Sequence, residues 1–238
     1  TQNSKLKTPA NCRYIQVSTD EVYGSLGPTG AFSETTPIAP NSPYSASKAA
    51  ADMLCRAFHK THKLDVVITR CSNNYGPYQF PEKLIPLMIA NCLEGKALPV
   101  YGDGQNVRDW LYVDDHAEAV WSVLTRAAPG TSWNVGGRNE MKNLDLLHQL
   151  IATVARLAGK DEGDLKRLIT FVKDRPGHDR RYAIDCSKIE HHLGWTPRHD
   201  FAGGLEATVR WTLEHRDWID RVRSGAYRAW IDTNYRQR

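Results

Sequence analysis

Two short stretches carry side chains able to move protons. In "YIQVSTDEVYG", residues 14–24, an apolar strand runs into Ser18, Thr19, Asp20 and Glu21. A hydroxyl pair and two adjacent acids at the end of a buried strand are side chains able to donate and accept protons. Adjacent acids on an extended backbone would point to opposite faces, so the strand has to end before Asp20 if both serve one pocket. Taken alone, such a pair more often marks a solvated turn. In "SPYSASKAA" Tyr44 and Lys48 stand four apart, which on a helix puts them on one face, one turn apart. A free tyrosine has a pKa of about 10, so ionising it at pH 7 costs roughly 4 kcal/mol. A nearby ammonium favours the phenolate, which makes Tyr44 a candidate general base toward a hydroxyl. Alone, this spacing more often marks a core tyrosine beside a solvated lysine.

These residues need a scaffold, and the pattern supplies one. Residues 13–18 read as a buried strand, and the Gly- and Pro-rich residues 24–43 as a long loop. A helix is predicted from Pro43, a favoured first-turn residue, to about His62. "DVVITR", residues 65–70, is β-branched and apolar at its centre, as a parallel strand covered on both faces would be. The alternation continues with a helix over 84–93, a turn at "YGDGQ", a helix over 113–124, a strand at "TSWNVGG" and a helix over 143–157. Strand–helix alternation predicts an α/β fold: part of a Rossmann-type, doubly wound parallel sheet with a smaller mixed α/β lobe. The boundaries fall at 10–75 and 107–136 for the sheet domain, and at 76–106 and 137–238 for the lobe. Sites in such folds lie beyond the carboxyl ends of the strands, where "STDE", "CSNNYGP" and "NVGG" all sit.

The chain has 238 residues, 41% hydrophobic and 24% charged, with a formal charge of +4. There is no Lys/Arg run to suggest nucleic acid or an anionic membrane, and no apolar run approaching the roughly 20 residues of a membrane helix. The opening "TQNSKLKTPANCR" lacks a signal-peptide core. Five scattered cysteines without a CxxC fit reduced thiols in a cytoplasm. His59 and His62 lack a third ligand nearby, so no metal is expected. His191 and His192 read as a helix surface, and Trp211, Trp218, Tyr227, Trp230 and Tyr235 as lobe packing.

Taken together, Ser18-Thr19 and Tyr44-xxx-Lys48 resemble the catalytic set of the extended short-chain dehydrogenase/reductase superfamily. Within it, "STDEVYG", "SPYSASKAAADMLCRAF", "NNYGPYQFPEKLIP", "GDGQNVRDWLYVDDH" and "DRPGHDRRYAID" are similar to the dTDP-glucose 4,6-dehydratase family over nearly the whole chain. The resemblance implies a lyase that uses NAD. Tyr44, assisted by Lys48 and Thr19, takes the proton of the glucose 4-hydroxyl as hydride leaves C4. Glu21 then removes the C5 proton, Asp20 protonates the departing 6-hydroxyl, and hydride returns at C6. It places Ser18, Tyr44, Lys48 and Asn74 at the cofactor. Substrate contacts fall to Thr19, Asn73, Lys83, Leu84, Pro99, Val100, Tyr101, Arg108, Asn143, Asp174, Arg175, Pro176, Gly177 and His178. Of these, Arg108 and Arg175 are the candidates for the diphosphate, because a guanidinium pairs with phosphate oxygens bidentately. Tyr101 is the candidate to stack on thymine, with packing as its plain alternative. A homodimer built on the helix of Tyr44 is also implied. Other readings are the same dehydration of a UDP- or GDP-hexose, and a non-catalytic sugar-nucleotide-binding module.

One part of the family pattern has no counterpart. The family opens with a strand, a Gly-rich turn and a helix that hold the NAD pyrophosphate. Here neither Gly102-x-Gly104 nor Gly136-Gly137 has that spacing. By resemblance, about a hundred residues that carry this fingerprint are missing, and the expectation is that the chain alone binds NAD poorly and is inactive.

Overall fold

The computed structural model describes residues 12–174 and 179–225. They form two compact units, one of residues 12–74, 108–140 and 179–198, the other of residues 75–107, 141–174 and 199–225. Three short strands, β3 (Asn73–Tyr75), β5 (Val107–Tyr112) and β7 (Glu140–Lys142), fall where the chain passes from one unit to the other.

The first unit is built on a parallel sheet in the order β1 (Tyr14–Thr19), β2 (Val66–Cys71), β6 (Ser132–Val135). Val66 to Arg70 are all buried, as expected of a central parallel strand. Helices cover the sheet: α1 (Pro43–His62), α3 (Val113–Arg126) and α6 (Ser187–Leu193). Val67, Trp133 and Val135 pack with Ala119 and Val123 of α3 and with Ile189 and Leu193 of α6 in one cluster. Val22, Tyr23, Phe32, Ala49 and Tyr182 form another.

The start of α1 is fixed by reciprocal caps. Ser45 N donates to Ser42 Oγ and Ser42 N to Ser45 Oγ, both at 3.1 Å, with Pro43 at the first helical position. Such caps satisfy amides that the first turn leaves open. The loop after β1 is tied down by Phe32, whose N donates to Ala183 O and whose O accepts from Asp185 N. That exchange explains one departure from the sequence reading. Residues 179–198, predicted as part of the smaller lobe, cluster with the first unit because their backbone pairs with the loop around Phe32.

In the second unit α2 (Leu84–Glu94), α4 (Asn143–Ala158), α5 (Glu162–Lys166) and α7 (Phe201–Glu214) accompany a parallel pair, β4 (Leu98–Tyr101) and β8 (Ile169–Val172), with α8 (Arg216–Arg223) at the end. Leu146, Leu147, Leu150, Ile151 and Val154 of α4 are buried. The pairs β4–β8 and the strands β3, β5 and β7 were not foreseen, being too short and too mixed to carry a period-2 signal. Trp211 and Trp218 pack with Tyr78 and with each other, and His215 stacks on Trp211, in line with the packing reading; Tyr227, Trp230 and Tyr235 lie outside the described residues.

Candidate active site

The strand β1 ends at Thr19, and Asp20–Tyr23 turn at once into a single 3-10 turn. Thr19 caps it, its Oγ accepting from Glu21 N at 3.3 Å. The break in extended backbone that two cooperating acids require is therefore present. Asp20 is only 2% exposed. Burial, then the charges of Asp109 and Glu21, push its pKa up to about 8 against weaker opposition from Arg108 and Thr19. Thr19 Oγ donates to Asp20 Oδ1 at 3.4 Å, while Asp20 Oδ2 is buried without a hydrogen-bond partner. At neutral pH the side chain is thus a carboxylic acid, with an oxygen that no described residue engages.

Tyr44 sits in the first turn of α1, 54% exposed. Its phenol is pushed above the ordinary tyrosine value by partial burial first, then by Glu21, Cys71 and Asp20. Glu21, Cys71 and Asp20 all act on the phenol, while the Lys48 ammonium donates to Val17 O at 2.9 Å.

Ser18 is buried; its hydroxyl makes no full hydrogen bond, yet lies near enough to the Asp52 carboxyl to favour its charged form. Asn74 Nδ2 donates to Ser72 O at 3.1 Å and to Cys71 Sγ at 3.3 Å. Asn73 opens β3 and is half-buried. Arg108 is buried; it donates to Asp179 O at 2.8 Å, and its guanidinium carbon lies 4.4 Å from the Tyr182 ring centre.

The second unit holds the other described candidates. Lys83 caps α2 and Leu84 begins it. Pro99, Val100 and Tyr101 lie on β4, where Val100 is buried and Tyr101 exposed. Asn143 begins α4 and bonds through its amide to Asn106 O at 3.0 Å. Asp174 packs on Gly102, where an added Cβ would lie 3.0 Å from its Oδ2. Arg175, Pro176, Gly177 and His178 lie outside the described residues. No group of three metal-ligating side chains occurs among the described residues.

Several residues at this site carry no motif. Asp109 is buried, accepts from Gly137 N at 2.8 Å and Asn139 N at 2.7 Å, and raises Asp20. Tyr182 lies under Arg108 and donates to Asp179 Oδ2 at 2.5 Å. An acid beside an arginine in "VRDWL" was the only hint of Asp109.

A protonated acid, a second acid and a phenol brought together at the end of a parallel strand match a known architecture. A family model described as GDP-mannose 4,6 dehydratase matches residues 2–208. The chain belongs to that family. A dTDP-glucose 4,6-dehydratase of Escherichia coli is 50% identical over 237 residues, 96% of this chain and 65% of that protein. One from Xanthomonas campestris is 55% identical over 217 residues, covering 91% and 62%. Among solved structures, a Bacillus anthracis dTDP-glucose 4,6-dehydratase in complex with NAD superposes with a TM-score of 0.81 at 53% identity, covering 88% of this chain and 64% of that one. A Bacillus cereus UDP-glucuronic acid 4-epimerase, in complex with its nucleotide sugar and NAD, reaches 0.76 at 31% identity, covering 85% and 62%. The chain thus spans less than two thirds of the length of these relatives.

The family's dinucleotide fits this chain at one end. Lys48, Tyr44 and Ser18 offer an ammonium and two hydroxyls beside the strand ends, donors suited to a nicotinamide ribose. No described glycine turn cradles a pyrophosphate. Gly136 and Gly137 are packed against Ile184, Asp109 and Trp110, and Gly104 against Val100 and Leu144, so these glycines serve close packing.

Proposed function

We propose that this chain carries the proton-transfer machinery of a dTDP-glucose 4,6-dehydratase, which converts dTDP-glucose to dTDP-4-keto-6-deoxyglucose and water. The observation that carries the reading is the 3-10 turn that gathers Asp20 and Glu21 beside Tyr44. A 4-epimerisation needs only the phenol and a hydride carrier; water loss needs an acid and a base as well. NAD, when bound, would supply a reversible acceptor for the sugar's hydride. Tyr44 takes the proton of the 4-hydroxyl, with Thr19 and Lys48 alongside. The resulting ketone acidifies the neighbouring C5–H, and Glu21 accepts that proton. Asp20 gives its own proton to the 6-hydroxyl, which departs as water. The upward shift of Asp20 serves this step, since an acid with pKa near the working pH is still protonated and yet able to donate.

Arg108, held by Asp179 O and Tyr182, is assigned to the diphosphate, with Asn73, Lys83, Leu84, Pro99, Val100, Tyr101, Asn143 and Asp174 as further nucleotide-sugar contacts. Asn74 is assigned to the nicotinamide. The dTDP specificity rests on the relatives at 50–55% identity; a UDP- or GDP-hexose is the competing substrate. We also assign the exposed apolar face of α1, where Leu54 is 61% exposed beside Met53 and Phe58, to a homodimer, and a cytoplasmic setting. Among the described residues no helix is long and apolar enough to cross a membrane.

Mass spectrometry tests the reading. dTDP-glucose is incubated with NAD and the chain, alone and joined to a dinucleotide-binding segment of the family, with UDP-glucose and GDP-mannose in parallel. Loss of one water from dTDP-glucose in the joined protein, abolished by Asp20→Asn with Glu21→Gln, is the expected result. No water loss from any of the three sugars overturns the dehydratase reading.

A further inference from the structure

Tyr44, Lys48 and Asp52 stand at i, i+4 and i+8 of α1 and so share one face. The third has no place in the proton transfers proposed above. Asp52 is fully buried, and its Oδ2 accepts from Nε of buried Arg70 on β2 at 2.8 Å. The same guanidinium donates through Nη1 to Tyr23 Oη at 2.9 Å. Tyr23 is the last residue of the turn that bears Asp20 and Glu21. Its hydroxyl passes on to Asn134 Oδ1 on β6 at 2.8 Å, and Asn134 is itself fixed by Phe32 O through Nδ2 and by Glu34 Oε1 through its amide, both at 2.9 Å.

We propose that Arg70 is a positioning residue that holds the helix carrying Tyr44 and Lys48 in register with the turn carrying Asp20 and Glu21. The proposal rests on those four residues acting on one sugar, as argued above. A guanidinium is planar and its donors are fixed relative to one another, so bonds from Nε and Nη1 of one group tie α1 and the turn to a single rigid fork. Apolar packing would hold α1 on β2 equally well, yet would resist sliding along the helix axis poorly. A buried ion pair adds little net stability over an apolar pair of similar volume. Its directional bonds are what an apolar pair cannot reproduce. Placement matters here because small misalignments of reacting groups cost large factors in rate.

The two arms are cut separately. Tyr23→Phe removes the bond from Arg70 to the turn, together with the bond from Tyr23 to Asn134, and leaves the helix arm intact; Asp52→Asn weakens the bond to the helix. Amide hydrogen exchange is followed across the described residues of each protein. In Tyr23→Phe, exchange over residues 20–24 rises about tenfold while the first two turns of α1 are unchanged, the loss of a bond from a charged donor along with the bond to Asn134. In Asp52→Asn the first two turns of α1 exchange about tenfold faster and the turn is unchanged, the loss of a charge-assisted bond. Should Asp52→Asn fail to fold because it strands a buried charge, Asp52→Leu with Arg70→Met replaces it. That pair restores an apolar contact and the urea midpoint, while exchange rises in both elements. Uniform changes across the first unit, or exchange like the parent's in the Leu/Met pair, overturn the proposal. In protein that turns over, Tyr23→Phe slows water loss and spares hydride transfer, whereas Asp52→Asn slows hydride transfer. A parent that removes no water fails the dehydratase reading alone, and exchange still decides the register.

Discussion

Lys48 donates from its ammonium to the carbonyl oxygen of Val17 at 2.9 Å, tying the second turn of α1 to β1. One of its three donors is thereby given to the strand, and the Tyr44 phenol feels the carboxylates of Glu21 and Asp20. Two jobs assigned to these acids pull against each other. A charged Glu21 suits removal of a carbon-bound proton, while the same charge opposes ionisation of Tyr44. After burial, Glu21 is the largest contributor to the raised phenol. Glu21→Gln is therefore expected to let Tyr44 ionise at lower pH. Phenolate absorbance during alkaline titration, differenced against the same chain with Tyr44→Phe, reads it. An unmoved or raised titration would show that the two side chains do not interact.

Asp20 gives a prediction about stability. Its pKa is about 8 in the fold and 3.8 as a free side chain. Between those values the native state keeps a proton that the unfolded chain has lost. Native binds more protons than unfolded, so the contribution of Asp20 is fully present below pH 3.8 and is lost as pH rises through about 8. The slope is at most ~1.4 kcal/mol per pH unit. Asp20→Asn removes it, so the variant gains stability relative to the parent from pH 5 to pH 8. Urea unfolding of both proteins at each pH measures the difference. A gap that stays constant with pH would mean that Asp20 ionises in the fold as it does in water.

Much of this site was legible because its signals are local. Pro43 before an apolar stripe announces where α1 starts, and Tyr44 and Lys48 need only helical spacing to share a face. Two adjacent acids after a hydroxyl pair imply that the strand has ended, as the turn at Asp20 bears out. What stayed hidden depends on contacts across the chain. Arg70 looked like the end of a strand, and its partner Asp52 is on a different element, so neither residue reveals a buried pair. Asp109 acts through Gly137 and Asn139, which lie beyond α3. The return of residues 179–198 to the first unit depends on backbone bonds to Phe32, and main-chain pairing leaves little trace in side-chain type.

Arg108 carries the proposed contact with the diphosphate, and its surroundings fix how it can be tested. The guanidinium carbon lies 4.4 Å from the Tyr182 ring centre and Nη2 donates to Asp179 O at 2.8 Å, so the group is held from two sides. Arg108→Lys keeps a charge and loses the fork and the stacking. It is expected to weaken dTDP binding about tenfold or more. Tyr182→Phe keeps the ring and is expected to bind dTDP within about threefold of the parent, since a displaced hydroxyl bond costs little when its partner stays hydrated. Calorimetric titration with dTDP compares them. Unchanged binding in Arg108→Lys would remove this residue from the diphosphate site.

Gly136-Gly137 poses a choice between a phosphate-binding loop and close packing, and the backbone decides for packing. A Cβ on Gly137 would lie 1.9 Å from Trp110 O and 2.6 Å from its carbonyl carbon. Neither atom can swing away as a side-chain tip would, so β5 or the loop must move. The move breaks the 2.8 Å bond from Gly137 N to Asp109 and leaves part of a buried carboxylate unsatisfied. Gly137→Ala is expected to cost about 3 kcal/mol or more, the range of core strain combined with a lost buried bond. Gly159 is the control. It has φ +65° at the end of α4 and nothing within 4 Å of an added Cβ. Gly159→Ala therefore carries only the left-handed penalty of about 1–2 kcal/mol. Urea midpoints of the two variants against the parent give the comparison. Equal costs would mean that the approach of Gly137 to Trp110 is not what makes a glycine necessary. The Asp109 link extends the effect to the site, because a displaced Asp109 no longer raises Asp20. In Gly137→Ala the Asp20-dependent fall in stability between pH 5 and pH 8 is expected to shrink as well.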